Sequence, residues 1–151
     1  MFFRYKLALH YGVLTVILSG DYLAMFSGVL LFHWQHVFVP GYVRDKTAWN
    51  LRDAAITGSS LLLVPEWLKF FTLGIEYHHI HHFRTKIPGY KLKEVHEHAP
   101  ESFEDLPSGF SCVPVLGCRE MWTSLWLQCY DEDSRQYITF DQSLQDLKKG
   151  E

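Results

Sequence analysis

The 151-residue sequence has few of the features that mark a disulfide-framed or nucleic-acid-binding domain. Its three cysteines, Cys112, Cys118 and Cys129, are an odd number and form no C-x-x-C pair. That excludes a disulfide frame and a zinc knuckle, and leaves reduced thiols facing a cytosol-like compartment. Basic excess is missing too: the net charge is −3 and no basic stripe runs along the chain, so no nucleic-acid partner is expected. No small-residue cleavage site closes the first apolar run, so that run does not read as a signal peptide. Repeats and low-complexity tracts are absent. In their place stand aromatic residues, 16% of the chain, and nine histidines, six of them between residues 33 and 82. Tyr and Trp collect where one end of a side chain is apolar and the other wet, as at a membrane interface.

The longest apolar run, Tyr11 to Phe32, is 22 residues interrupted only by Asp21 and two serines. At a rise of about 1.5 Å per residue it is long enough to cross a hydrocarbon core of roughly 30 Å. A buried helix of a soluble protein is the alternative. Asp21 near its middle is costly in lipid and is expected to face protein or water. Arg44, Lys46 and Arg52 follow the run, against Arg4 and Lys6 before it, which favours a cytoplasmic C-terminal side. Three regions result: a transmembrane helix over 7–38 ending in a His pair, a cytoplasmic or interfacial helical region over 39–98, and a polar tail over 99–151. Within the second, residues 65–83 are expected to form one helix. Pro65 suits its first position, Glu66 its first turn, and Pro88-Gly89 marks a turn soon after. In the tail, Leu125 to Tyr130 and Gln136 to Phe140 flank a turn-like Asp-Glu-Asp-Ser-Arg and suggest a β-hairpin. The fold class expected is all-α and membrane-embedded: one transmembrane helix, a buried His-bearing helix on the cytoplasmic side, and a small polar tail that can form the β-hairpin.

The second helix is apolar nearly all round, so the four histidines at its end are expensive to bury without partners. In Gly74-Ile75-Glu76-Tyr77-His78-His79-Ile80-His81-His82, helical spacing puts His78, His81 and His82 on one face, with His79 well off it. Gly74 lies on that face one turn earlier, where another element can approach closely. His33 and His36, at i, i+3, sit where the first helix leaves the membrane, so both sets can meet at one boundary. Imidazole suits zinc, copper, iron and nickel. All-imidazole ligation beside apolar walls, with no suitably spaced cysteine, fits iron that activates oxygen next to a greasy substrate.

The stretch Gly74 to Leu92 resembles the third histidine box of membrane fatty acid desaturases: H-x-x-H-H, then I-P-x-Y-x-L and a trailing His. His78, His81 and His82 match the box; Ile87, Pro88, Tyr90 and Leu92 match the I-P-x-Y-x-L segment; His96 matches the trailing His. Phe32-His33-Trp34-Gln35-His36 resembles the family's aromatic-x-x-Gln-His at the end of its last transmembrane helix, which favours His36 over His33. Gly58-Ser59-Ser60, Val113 to Leu116, Leu125 to Leu127, Tyr130 to Glu132 and Phe140 also resemble family segments. The sequence departs from the pattern in lacking the H-x-x-x-H box and the first H-x-x-H-H box. Val37 to Pro40 replace the acidic residue after Gln-His, and Gly89 and Lys91 replace two asparagines.

The resemblance implies a di-iron, oxygen-dependent enzyme that puts a double bond into a fatty acyl chain, drawing electrons from a ferredoxin or a cytochrome b5-type donor. It implies His78, His81, His82 and His36 as metal ligands, about half of the family's set. His96, His33 and Glu76 are auxiliary candidates, with Glu76 and Glu94 as acids that orient the ligands. Trp67, Phe71 and Ile75 are candidates to line an acyl slot. The chain is then a partial desaturase, completed by another chain that carries the missing boxes. A sibling histidine-box hydroxylase and a non-catalytic metal-binding remnant are the alternatives.

Overall fold

The computed structural model describes residues 2–11, 13–102 and 113–149, so Cys112 and part of the tail lie outside the described residues. The chain divides into two compact units, 1–33 and 34–151.

The first unit holds helix α1 (Phe2–Tyr11) and most of α2 (Leu14–His36). The apolar stretch is therefore not one helix over 7–38. It breaks around Val13, next to a glycine in the sequence, where helix propensity is low. α2 is long and apolar enough to cross a membrane. Its one acid is not left alone: Asp21 accepts the Tyr5 hydroxyl at 2.6 Å and pairs with Arg4 at 2.9 Å.

The second unit begins with the last turn of α2. Helix α3 (Leu51–Thr57) starts at Asn50, whose side chain accepts the Asp53 amide at 2.8 Å and supplies an N-cap. The two-residue strand β1 (Leu61–Leu62) follows, then α4 (Glu66–Thr72) and α5 (His78–Phe83). The single helix expected over 65–83 is thus two helices. Leu73 at φ 53° and Gly74 at φ +86° are both left-handed and end α4 in a tight turn. Gly74 must be glycine for a second reason. A Cβ there would lie 2.1 Å from the Gly89 carbonyl oxygen, and one on Gly89 would lie 2.3 Å from the Leu73 carbonyl oxygen. The close approach expected at Gly74 is this crossing, which seats helix α6 (Gly89–Ser102) against the lead-in to α5.

The tail provides β2 (Val115–Leu116), α7 (Cys118–Ser124), β3 (Leu127–Asp131), β4 (Gln136–Thr139) and α8 (Phe140–Lys149). β3 and β4 pair antiparallel as a hairpin, and at its turn the Ser134 amide donates to the Asp131 carboxylate at 2.9 Å. β1 and β2 pair in parallel, Leu61 with Val115 and Leu62 with Leu116. On its other side Leu61 bridges Tyr77. The fold is mostly helical, with the expected hairpin in the tail and, in addition, the small parallel β1–β2 pair that an all-α description leaves out. Tyr77, Ile80 and Leu92 form the buried cluster behind α5, joined by Leu61, Ile87 and Val95.

Candidate metal centre

The last carbonyls of a helix have no partner within it. At the end of α2 they are met by Ser60, whose hydroxyl donates to the Trp34 carbonyl at 2.9 Å and whose amide donates to the Gln35 carbonyl at 3.0 Å. Gln35 is buried, and its side-chain amide donates to the Ile75 carbonyl at 2.9 Å. The last turn of α2 is so fixed against the lead-in to α5, and His36 is carried to the histidine helix.

There, the Nε2 atoms of His36, His78 and His82 form a triangle. His78 Nε2 lies 3.1 Å from His36 Nε2 and 3.1 Å from His82 Nε2, with 3.4 Å between the latter two. His78 and His82 share a side of α5 because they are four residues apart. His36 Nδ1 lies 3.3 Å from the Gly58 carbonyl. A proton there donates to the oxygen and leaves the Nε2 lone pair pointing into the triangle. His78 is buried, and burial, followed by the neighbouring His82, His36, His81 and His79, pushes its imidazole down to about 3. His82 is lowered as well, by burial and then by His36 and His81. The rings are thus held neutral, the form that binds metal.

These residues fit an ion. A metal held by imidazoles at about 2.1 Å sets neighbouring donor nitrogens about 3.0–3.4 Å apart, which is the spacing observed. Protons satisfy three convergent lone pairs poorly, since one proton bridges one pair at a time. A single cation satisfies all three.

The other sequence candidates are not part of this triangle among the described residues. His81 is half-buried, its ring stacked 5.5 Å from His78 and edge-on 6.0 Å from His82, but its nitrogens do not join the three. At 100° per residue it sits about 60° around the short helix from His78 and about 100° from His82. His33 belongs to the first unit. Glu76 is buried and accepts the Thr72 hydroxyl at 2.6 Å. Trp67 and Phe71 stand exposed on α4, and Ile75 is half-buried. Glu94 is exposed and tied to Lys91 at 2.6 Å. Helical spacing does not single out His79. It is fully buried, with Nε2 3.1 Å from His96 Nδ1, so the trailing His packs on the back of the box. Ile80 beside it and Phe83 at i+4 are apolar, and that was the signal that this imidazole needed a buried partner.

Comparison with known proteins gives a consistent answer. The family model for fatty acid desaturase matches residues 2–113. A fatty acid desaturase of Bacillus subtilis (strain 168) is 37% identical over 113 residues, covering 75% of this chain and 30% of that protein. A chloroplastic omega-6 fatty acid desaturase of Arabidopsis thaliana is 28% identical over 94 residues, covering 62% of this chain and 20% of that protein. No solved structure matches. The chain spans less than a third of the length of these curated relatives. By sequence match over most of its length, and with its histidines gathered as described, the chain belongs to the fatty acid desaturase family.

Proposed function

We propose that this chain supplies one ion's ligands, His36, His78 and His82, to the iron centre of an oxygen-dependent acyl desaturase. His81 stands beside them, available to a second ion. The triangle of Nε2 atoms at 3.1–3.4 Å carries the reading. Bound iron would supply the oxidising power, drawn from oxygen, to remove hydrogens from an unactivated acyl chain. The protein's own residues prepare the site. Gly58 holds the His36 tautomer, burial keeps His78 neutral, and Gln35 and Ser60 hold α2 in register with α5. α2 crosses the bilayer, and the histidines lie where it emerges on the cytoplasmic side. The substrate is a fatty acyl chain, and the electrons come from a ferredoxin or a cytochrome b5-type donor. Further polypeptide bearing the two absent boxes completes the centre, and this chain alone does not turn over.

Metal analysis of the purified chain from iron-supplemented cells tests this, with oxygen-dependent desaturation assayed on the same material. One ion per chain in the wild type, and none in His36→Ala or His78→Ala, is expected. Equal metal in wild type and variants refutes the triangle as a site. Turnover by the isolated chain refutes its incompleteness.

A further inference from the structure

One short helix of the second unit, α4, is inside out for a protein in water, and a second, α7, carries exposed tryptophan at its end. On α4 the outward face carries Trp67, Phe70 and Phe71, which are 71%, 77% and 71% exposed, followed by Leu73 at 71%. Thr72 is buried, and Lys69 is half-buried and paired with Glu66. On α7 Trp122 is 65% exposed while Ser124 is fully buried, and Trp126, two residues past the end of the helix, is 58% exposed. Soluble helices place these residue types the other way round.

Both helices are pinned to the same place. The Ile75 carbonyl, two residues beyond Leu73, accepts the Gln35 side chain. The Met121 carbonyl, one residue before Trp122, accepts Trp34 Nε1 at 2.9 Å. Trp34 and Gln35 form the last turn of the one helix, among the described residues, long enough to cross a membrane. The exposed aromatics are therefore gathered where that helix would leave a bilayer. At that level Trp and Phe sit with their rings at the acyl boundary, and a lysine stem can reach toward the headgroups.

We propose that α4 and α7 form an aromatic collar seated in the headgroup and upper acyl region of the lipid bilayer around the exit of α2. The collar rests on the reading that α2 spans the membrane. It fixes the depth of the histidine triangle, because α5 follows α4 after five residues and is held to the same turn of α2. An apolar substrate would then reach the metal site from the membrane without crossing water.

The full chain reconstituted in phosphatidylcholine vesicles tests the collar. Tryptophan emission is compared in vesicles brominated high on the acyl chains and in vesicles brominated near their ends. Subtracting Trp67→Phe and Trp126→Phe from the wild type isolates each ring, and both positions are exposed enough for the fold to survive. For each ring, quenching at least about twofold stronger from shallow than from deep bromine is expected, as befits a depth of about 5–10 Å. No quenching, or quenching that is equal or deeper, overturns the collar; no quenching means that polypeptide covers the face. Alkaline carbonate extraction of the same vesicles separates the two readings. A chain that resists extraction with its rings unquenched keeps the span and loses the collar. A chain that is extracted loses the span.

Discussion

The buried pair behind the histidine box predicts how the fold responds to acid. His79 is fully buried, and burial, followed by His96, pushes its imidazole from near 6.5 down to about 3. The folded chain therefore keeps His79 neutral through mild acid, while the unfolded chain takes up a proton near 6.5. A group with a depressed folded value contributes its full stability above the unfolded value. The contribution drains away as pH falls from about 6.5 toward about 3. At about 1.36 kcal/mol per pH unit, going from pH ~7 to pH ~5 removes about 2 kcal/mol for this one imidazole. His78, with a similar shift, removes a comparable amount. The perturbation is His79→Gln, whose amide nitrogen stays within reach of His96 and does not titrate. Chemical denaturation of the metal-free chain in detergent, followed by near-ultraviolet circular dichroism, reads both proteins at the two pH values. The absolute stability of the variant is immaterial; the pH dependence is diagnostic. The variant should lose about 2 kcal/mol less than the wild type over that interval. Parallel losses would show that His79 titrates as it does in water and that the pair is not buried.

Other perturbations test the scaffold. Gly74→Ala forces a side chain into φ +86° and a Cβ to 2.1 Å from the Gly89 carbonyl. The conformation alone costs about 1–2 kcal/mol, so a lower melting temperature together with loss of bound metal is expected. Gln35→Leu removes the hydrogen bond to Ile75 and should weaken metal binding about 10–100-fold, as read by competition with a chromophoric chelator. Unchanged affinity would mean that α2 is held without it. Trp34→Phe removes one hydrogen bond to the Met121 carbonyl, about 1 kcal/mol. Limited proteolysis should then cut the tail sooner, while α2 and α5 keep their protection.

Much of this arrangement is legible in the residues, and the rest fails for identifiable reasons. Pro65 and Glu66 announce the start of α4, and the turn residues between Tyr130 and Gln136 announce the hairpin, because those signals are local. The i, i+4 relation of His78 and His82 is likewise visible in the spacing. The break at Leu73-Gly74 is hidden, because the apolar pattern runs through it unbroken; a backbone from fifteen positions later demands it. The company that His36 keeps depends on Ser60 and Gln35 aligning α2 with α5, a contact across more than twenty residues. β1 cannot be found by periodicity, since two residues have no period. The partnership of His79 with His96 emerges only once α6 is seated by the glycine crossing.

The parallel pairing of Leu61 with Val115 also sets an order of assembly. Pairing of segments so far apart in sequence must meet the entropy of closing a long loop before any contact rewards it, and such contacts form slowly. During synthesis α2, β1 and α5 all emerge before β2 does. Until β2 arrives, the Leu61 and Leu63 amides lack the Pro114 and Leu116 carbonyls they later bind at 2.8 Å. The backbone of Leu61 is then bridged to Tyr77 but not yet to β2. A nascent chain thus displays its histidines on a half-secured floor, and the tail is the late clamp that turns a flexible set of ligands into a rigid one.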